Sequence, residues 1–591
     1  MSEFSEYLRA TFAIPADEGP DKVTPLAEAI RRHTRPGQSI YFATTQARPA
    51  AGMYQLAREW WGRDPGFTLI ALSFGNPYSL LVHGGLARKV ISTFYGDAYP
   101  TPGPNAILGR AFLAGKTEFE FWTIWTLPLR LKASALDVPF LATKSLRGST
   151  MERDNARDFF TLHDPETAEP AGFARALKPD LTIVHAAAAD RSGNAILTPP
   201  GGDGTGGILG AREGVIVTTD RIVDRAFLRR HAHLVKVPSY KVLAVCEAPY
   251  GAHPGGCSNR GISELGAYAD DYDFLEEVRA ASREPERFDR WVREWVLDPA
   301  DHEAYLAKLG KDRLWALRGK AEGDSWIEEL REHWDGIDFG APASPVETMI
   351  VQGARALAAR IRDEGHRTIL AGVGASNLAA WLAAWGLKRE GVDVELMAEI
   401  GMYGYHPRAA DPFIFNYRNL PTCAMLAEME TIIGMCVSGE GARAVGAIGA
   451  AQIDKAGNVN STMIPGKALF VGSGGANDIA SAARDVLVTM VQGRGGRFVD
   501  RIPYVTSPGR VVSTVASERG LFRKEDGELV LAGYVPQEGM DEEAAVREIK
   551  ALVGWELRVA PDLARLEPPT AEELRLLRVY DPKRQFLGKE A

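Results

Sequence analysis

The chain has 591 residues, of which 45% are hydrophobic, and this length is too great for a single core, so two or more domains are expected. The net charge is −9 with a pI near 5.8, and acidic and basic residues are interspersed. The sequence has neither a basic tract nor an apolar run of the roughly 20 residues that a membrane span needs, so neither nucleic acid nor a membrane is an expected partner. Its four cysteines lack CxxC spacing, which predicts free thiols and a cytoplasmic protein.

The first half of the chain alternates between apolar strands and helices. Strands are predicted at 38–45, 67–75, 181–190 and 215–223, and "RPAAGMYQLAREWWG" between the first two is a predicted helix with Pro49 near its start. Apolar strands that alternate with helices are typical of a parallel sheet covered on both faces. We therefore expect an α/β domain over residues 1–270.

Residues 271–344 have a different character. "DFLEEVRAASREPERFDRWVREWVLDP" and "SWIEELREHW" predict charged, amphipathic helices, and "GIDFGAPASPVE" is rich in Gly, Pro and Ser, as linkers are. After it the alternation returns, with "RTILAGVG" as a strand, "ASNLAAWLAAWGLKREG" as a helix and "VDVELMAE" as a strand. Residues 345–591 are thus expected to form a second α/β domain.

A short motif occurs in both halves. "IVHAAAADRSGNAI" (183–196) and "AIGAAQIDKAGNVN" (447–460) share the pattern D-[RK]-x-G-N after an apolar strand. The pattern is that of a turn, in which Asp and Asn bond nearby backbone and Gly adopts positive φ. Its repetition predicts two similar, open, mostly parallel-sheet domains that face each other as a fused pseudo-dimer.

Glu399 is the first candidate catalytic residue. It ends the apolar strand that contains Val394, Leu396 and Met397, and in an open α/β sheet ligands bind beyond the carboxyl ends of the strands. Gly401 and Gly404 then turn the chain without side chains. A strand-end glutamate can form a surface salt bridge; alternatively, it can attack an activated acyl group such as a thioester, whose thiolate leaves easily.

A glycine-rich stretch, "FVGSGGAND" (470–478), is the candidate partner of that carboxylate. Attack on a thioester requires backbone N–H donors where the oxyanion forms, and the stretch supplies Gly472, Gly474, Gly475 and Ala476, with Gly401 as a further backbone contact. The alternative is an ordinary strand-to-helix turn in which Asn477 or Asp478 caps the helix.

Several blocks together resemble family I CoA-transferases, closest to the glutaconate CoA-transferase branch. Residues up to about 270 resemble the α subunit of that family through "LRLKASALDVPFLATKSLRGSTM", "AAAADRSGNAI" and "EAPYGAHPGG". Residues from about 345 resemble its β subunit through "AEIGM", "DKAGNVNSTMI", "FVGSGGANDIA" and "DRIPYVTSPG". Here the two are fused, and the segment around Glu399 departs from the Glu-Asn-Gly phrase of other branches.

The resemblance implies that Glu399 is a nucleophile and that CoA and acyl groups meet between the halves. It places "TKSLRGST" (143–150) near the acyl substrate, where Arg147 could hold a second carboxylate beside Ser149, or could be a surface arginine. Ser73 ends a first-half strand and could line the cleft. His406, like His253, is a candidate general base or supporting residue, although a lone histidine is more often structural.

Three functions follow, the first of which is the main prediction. A CoA-transferase would move CoA between an acyl-CoA and a carboxylic acid through an anhydride and then a glutamyl-CoA thioester at Glu399, with coenzyme A as a substrate, no permanently bound cofactor and no metal. An acyl-CoA hydrolase or ring-opening hydrolase of the same family would use water or a substrate carbonyl instead. A sensor would bind acyl-CoA without turnover. A homo-oligomer is possible.

Overall fold

The computed structural model describes residues 2–44, 47–99, 101–493 and 495–588. A seven-stranded sheet forms the first half, and all of its strands pair in parallel in the order β7-β6-β5-β1-β2-β3-β4. Its strands are β1 (Ser39–Phe42), β2 (Phe67–Ile70), β3 (Ala87–Ser92), β4 (Glu118–Phe121), β5 (Leu181–Ala186), β6 (Gly214–Thr219) and β7 (Val242–Glu247). The predicted parallel α/β sheet is confirmed; Thr45, at the end of the first predicted strand, lies outside the described residues.

A ten-stranded sheet forms the second half, in the order β11-β10-β9-β8-β12-β13-β14-β15-β16-β17. Its strands are β8 (Thr368–Ala371), β9 (Glu395–Ala398), β10 (Met402–Tyr403), β11 (Met425–Leu426), β12 (Ala444–Gly449), β13 (Asp485–Thr489), β14 (Val512–Ala516), β15 (Gly520–Glu525), β16 (Glu528–Tyr534) and β17 (Val559–Arg565). The five neighbouring strands from β9 to β14 in that order are parallel, but β10 and β11 on one side and β15 and β16 on the other pair antiparallel. This sheet is therefore more mixed than the sequence predicts.

The two sheets repeat one topology. The order β2-β1-β5-β6-β7 in the first half corresponds to β9-β8-β12-β13-β14 in the second. In each half the repeated motif closes an antiparallel hairpin, Ala188–Asp190 with Ala195–Ile196 and Gln452–Asp454 with Val459–Asn460. Asp190 accepts a bond from the Asn194 amide at 2.8 Å and Asp454 one from the Asn458 amide at 2.9 Å, so the predicted turn chemistry is confirmed.

Helices cover the sheets. Those used below are α1 (Ala50–Trp60), α2 (Tyr272–Ser282), α3 (Pro345–Glu364), α4 (Ala375–Arg389) and α5 (Ala476–Ala482). The other α-helices are Glu3–Phe12, Leu26–His33, Ser79–His83, Ala106–Ala114, Thr126–Ala135, Thr150–Asp154, Gly206–Leu209, Arg225–Arg230, Pro285–Val292, His302–Leu309, Lys311–Ala321, Ser325–Trp334, Glu542–Ala551 and Ala571–Tyr580. In the described residues, none has the length and apolarity that crossing a bilayer requires.

The segment between the halves is helical, as predicted, but it is also packed into the protein. Phe274, Phe288 and Trp291 are buried in the core cluster that also contains strands of the first half. Arg279 on α2 donates to the carbonyls of Tyr99 and Thr101 at 3.0 and 2.7 Å. The domain boundaries at 270 and 344 stay a prediction.

The halves meet along a seam that backbone hydrogen bonds cross. The Tyr95 amide donates to Val471 at 2.6 Å, the Gly474 amide to Thr93 at 3.0 Å and the Ile124 amide to Gly474 at 3.0 Å. One buried apolar cluster contains residues of both halves, Ile124 and Ile479 among them. The carboxyl ends of both sets of parallel strands thus border one contact region.

Candidate active site

Glu399 lies at this seam, immediately after β9 ends at Ala398. The next residue, Ile400, accepts a hydrogen bond from the amide of Gly202 in the first half at 3.1 Å. Gly401 has φ +123°, and a Cβ there would overlap the carbonyl oxygen of Ala427. Only glycine allows this sharp exit, which directs the glutamate toward the other half.

The carboxyl group of Glu399 rests directly on the backbone of the glycine-rich turn. A Cβ on Gly475 would overlap Oε2 of Glu399 and would approach Ile124 Cγ2 of the first half to 3.4 Å. A side chain at position 475 would therefore have to displace the carboxyl group of Glu399. Two segments that are far apart in sequence, 394–404 and 470–478, meet here as predicted.

Most amides of the predicted donor set are already engaged. The N–H groups of Gly472, Gly474, Ala476 and Gly401 donate to the carbonyl oxygens of Ser461, Thr93, Ser473 and Ala398. Among the described residues, no acceptor bonds the amide of Gly475. The oxyanion prediction is therefore compatible with Gly475 alone as the amide donor, whereas the other four positions stay predicted contacts of the CoA substrate.

Burial gives Glu399 an unusual acidity. Desolvation raises its pKa to about 8, and the negative charge of Asp478 acts in the same direction. Burial likewise raises the pKa of Asp478 to about 7, although hydrogen bonds from Ser145, from Thr123 at 2.6 Å and from the Trp125 amide at 3.2 Å oppose this. Glu399 retains partial solvent access, so solvent can exchange protons with this acid pair.

Asp478 is a site residue that the sequence analysis missed. Neither it nor Asn477 caps α5, whose first turn has no side-chain cap. Asp478 instead bonds first-half residues, and Asn477 Oδ1 accepts from the Leu146 amide at 2.8 Å. The capping alternative is wrong because both side chains cross the seam. An acidic residue in an otherwise small and apolar run was the available signal.

A pocket opens at the junction of the two halves and the inserted segment, and Ile400, the chain neighbour of Glu399, lines it. The predicted cleft residue Ser73 lines it, as does Arg48. Six aromatic residues also line it: Tyr78, Tyr99, Tyr272, Phe413, Phe415 and Tyr417. Ser73 is joined to the glycine-rich turn through Phe94, which bridges Ser73 on one side and Gly472 on the other.

Comparison with known proteins identifies the family to which this chain belongs. A model of the family described as coenzyme A transferase matches residues 23–248 and 429–525, more than half of the chain. The protein belongs to the coenzyme A transferase family. The matched regions contain the first sheet and the glycine-rich turn.

Relatives of this CoA-transferase family member match its two halves separately. The glutaconate CoA-transferase of Acidaminococcus fermentans consists of two different polypeptides. The first is 27% identical to this chain over 320 residues, which are 50% of this chain and 94% of the relative. The second is 27% identical over 221 residues, which are 33% of this chain and 80% of the relative. The fusion of two parts that are separate in these relatives is thus confirmed.

Among solved structures, the apoenzyme of an acyl-CoA transferase from Escherichia coli O157:H7 aligns with a TM-score of 0.65. The alignment covers 96% of this chain and 97% of that one at 14% sequence identity. At this identity the likeness supports the fold alone, and it extends over both halves of the CoA-transferase chain.

Two predicted substrate residues lie outside the pocket of this CoA-transferase. Nη1 of Arg147 donates to the Pro170 carbonyl at 2.6 Å, and Oγ of Ser149 donates to Leu146 at 2.6 Å while capping the helix Thr150–Asp154. Ser149 lines a separate, shallow surface cavity. The segment 143–150 does reach the site, but through Ser145 and Leu146.

His406 is not brought to Glu399. The chain reverses after Glu399, so that β10 pairs antiparallel with β9 and carries the following residues back toward the start of β9. His406 is exposed there, and burial together with the charge of Lys388 lowers its pKa, Glu395 acting in the opposite direction. His253 is buried, bonds Tyr305 at 2.6 Å and Asp271 at 3.0 Å, and is structural.

Proposed function

We propose that this protein is a CoA-transferase in which Glu399 carries the acyl group and then CoA. The Glu399 carboxylate attacks the thioester carbonyl of an acyl-CoA, the C–S bond breaks, and CoA leaves as a thiolate while an acyl-glutamyl anhydride forms. The thiolate attacks the glutamyl carbonyl, which releases the acid and leaves a glutamyl-CoA thioester. An acceptor carboxylate reverses both steps and departs as the new acyl-CoA.

The observation that carries this proposal is the contact between Glu399 and Gly475. The carboxyl oxygen lies against the backbone of Gly475, whose amide bonds no acceptor among the described residues, at a seam that both halves enclose. An oxyanion formed beside Glu399 would thus have a preorganised donor, and such donors contribute roughly 100- to 1000-fold to kcat. The substrates named for the glutaconate and 3-oxoadipate relatives support an acid as the second substrate.

The test is a search for covalent CoA on the Glu399 peptide. The protein is incubated with a panel of acyl-CoAs, trapped with borohydride or hydroxylamine, digested and analysed by mass spectrometry. We expect a CoA adduct at Glu399 and turnover that requires a carboxylic acid. Glu399→Gln should lose both and still bind CoA, with Glu395→Gln, at the other end of the same strand, as the matched control. Full turnover by Glu399→Gln would refute the mechanism.

A second candidate, an acyl-CoA hydrolase, is favoured by one observation. With a pKa near 8, only about a tenth of Glu399 is ionised at pH 7, and a carboxyl with such a pKa suits a general base for water. Release of free CoA without an acceptor acid, and without an adduct, would support this function. If neither an adduct nor turnover is observed, the remaining function is that of an acyl-CoA sensor.

A further inference from the structure

Three side chains of the kinds that bind metals converge at the carboxyl end of the first sheet. His185 lies near the end of β5, Asp220 follows β6 directly, and Cys257 lies in the loop after β7. One ligand atom of each, an imidazole nitrogen, a carboxylate oxygen and the thiol sulfur, lies within 4.8 Å of the other two. His185 and Cys257 are buried, and Asp220 is partly buried. The proposed transferase reaction uses none of the three.

The hydrogen bonds of His185 determine which ring nitrogen is able to bind a metal. Its Nδ1 lies 3.0 Å from Oγ1 of Thr218, and that hydroxyl donates its single hydrogen to the carbonyl of Val184 at 3.2 Å. The hydroxyl therefore accepts from His185, so that Nδ1 carries the hydrogen of the neutral ring. The lone pair of Nε2 then faces Oδ1 of Asp220 at 3.3 Å. Two lone pairs at this distance repel each other unless a cation or a proton lies between them.

Asp220 has no lysine or arginine partner within ion-pair distance in the part of the chain that the structure describes. Arg221 and Arg318 line the cavity next to it. However, the guanidinium of Arg221 donates to a backbone carbonyl at 3.4 Å, and that of Arg318 lies over the ring of Tyr250. A carboxylate that is partly withdrawn from water and lacks a fixed cation is costly. The carboxylate and the imidazole that faces it therefore form an incomplete set of metal ligands.

Cys257 is held in place on the third side of this cluster. Its amide and carbonyl pair with those of Tyr268 at 2.9 and 3.0 Å, and the Tyr268 hydroxyl donates to Oδ1 of Asp220 at 3.3 Å. A Cβ on Gly251, in the same loop, would approach Cε1 of the His185 ring to 2.6 Å, so glycine allows the loop to close over the ring. Burial raises the pKa of the Cys257 thiol well above its usual range, and the charge of Asp220 acts in the same direction, which argues against a role as a nucleophile.

We propose that His185, Asp220 and Cys257 bind one zinc ion, through Nε2, a carboxylate oxygen and the sulfur. Zinc takes this combination of nitrogen, oxygen and sulfur ligands. In a tetrahedral site the ligand atoms are roughly 3.5 Å apart, so Nε2 and Oδ1 already fit, and a movement of about 1 Å brings all three to that spacing. The thiol gives its proton to solvent on binding. Water from the cavity that Asp220 and Tyr268 line completes the four ligands.

The zinc site would fix a loop that forms one side of the pocket at the junction of the two halves. Four residues of the loop 249–270 line that pocket: Ala252, Pro254, Gly255 and Asp270. An ion bound between Cys257 and the ends of β5 and β6 connects this loop to the first sheet. The role of the ion is therefore structural, and the inference does not rest on the proposed function.

The experiment is a metal analysis of the full chain, purified without a histidine tag and without chelators from cells grown with added zinc. We expect about one zinc per chain, and Cys257→Ala should lose it. Cys246→Ala is the matched control, because Cys246 is also buried, in β7, but does not belong to the cluster; this variant should retain the ion. Zinc that stays bound in Cys257→Ala would be an adventitious ion at another place, and that result would overturn the proposal.

Cobalt gives a second measurement, which does not depend on retention of zinc during purification. Chelator-treated protein titrated with Co²⁺ should develop a thiolate-to-cobalt absorption band in the near ultraviolet, and Cys257→Ser should abolish that band. The band supports the site even where purification has removed the zinc. A wild-type protein that holds no zinc and gives no band contains only a hydrogen-bonded cluster, and the proposal is then wrong.

A pair of threonine variants tests the assignment of Nε2 as the ligand atom. Thr218→Val removes the acceptor of Nδ1 and should weaken zinc binding about 10- to 100-fold, measured by competition with a chromophoric chelator. Thr182→Val is the control: Thr182 is also buried, in β5, and its hydroxyl donates to the Gly207 carbonyl at 2.6 Å, so affinity should not change. Equal affinities in the two variants would overturn the assignment.

Discussion

The half-buried Glu399 and the buried Asp478 share one electrostatic environment at the seam. Each has a raised pKa because protein replaces water around it, and the charge of Asp478 acts on Glu399 as well. A nucleophile must be ionised, yet the same burial that disfavours its charge also makes the carboxylate more reactive once formed. In the proposed mechanism, Asp478 thus tunes the fraction of Glu399 that is ionised.

The pH dependence of kcat/KM should report this coupling. In the proposed mechanism only the ionised form of Glu399 attacks, so in the free enzyme kcat/KM should rise with pH with its midpoint at about 8. Asp478→Asn removes a negative charge, lowers the pKa of Glu399 and shifts the rise to lower pH, with about a 3- to 10-fold gain at pH 7. The measurement is a profile from about pH 6 to about pH 9.

The control for that profile is Asp500→Asn, which removes an exposed acid of the same half. It should leave the midpoint of the rise where it is. A midpoint that also stays unchanged in Asp478→Asn would show that the two acids are not coupled, provided circular dichroism shows an intact fold.

At the residue scale the sequence predicted Glu399 and the glycine-rich turn that contacts it, but not Asp478 as a site residue. A glutamate at the end of an apolar strand is visible as a local pattern. The approach of Asp478 to Thr123, and of Arg48 to Asp270, joins positions far apart in the chain, and no periodicity encodes such pairs. Arg147 and Ser149 were predicted from the segment 143–150, which does reach the site. The residues of that segment that contact the site are their neighbours Ser145 and Leu146.

At the level of elements, the glycine-rich turn is determined by what packs on it. Gly472 lies against the Thr93 carbonyl, and Gly475 lies against Glu399. The turn therefore acts as a spacer of fixed thickness between the nucleophile and the first half. At Gly472 and at Gly475 a side chain would collide with these neighbours.

Gly475→Ala should abolish most of the activity. The added methyl group would displace the carboxylate, and a displacement of about 1 Å can cost on the order of 100-fold in rate. Steady-state kinetics with circular dichroism is the measurement. Gly386→Ala in α4, where a Cβ meets nothing within 4 Å, is the control and should retain full activity. An active Gly475→Ala protein would contradict the contact described here.

The strands and helices of both sheets were predictable because strong apolar runs alternate with amphipathic ones. The hairpin of β9 and β10 was not, and the misplacement of His406 follows from that omission. Gly401 and Gly404, which follow the strand closely, were the signal of a reversal. The antiparallel strands on either side of the parallel strands of the second sheet were not predicted either, because short strands carry little periodicity.

In the whole molecule, the two halves are held together more by their direct contact than by the covalent connection between them. Backbone hydrogen bonds and a continuous apolar cluster cross the seam, and Glu329 of the inserted segment pairs with Arg418 of the second half. These contacts do not require a covalent link. The segment contributes a wall of the pocket from the side of the first half.

A chain divided between Asp335 and Gly336, in an exposed stretch, should therefore reassemble. Co-expressed fragments 1–335 and 336–591 should copurify, elute together on size exclusion and show the Glu399 adduct. Each fragment alone should be inactive, since the first lacks Glu399 and the second lacks the first-half residues at the seam, Thr93 and Ile124 among them. Fragments that fold but stay apart would show that the seam depends on the linker.

The contact between the two halves also determines how the protein behaves when it is diluted. The two glutaconate CoA-transferase relatives are separate polypeptides. The pairing of separate chains in general weakens as concentration falls. Here the partner is tethered, and a short tether maintains an effective concentration on the order of millimolar at any expression level. The two halves are then present one to one in every molecule, and a surplus of either half, with its apolar contact face uncovered, never arises.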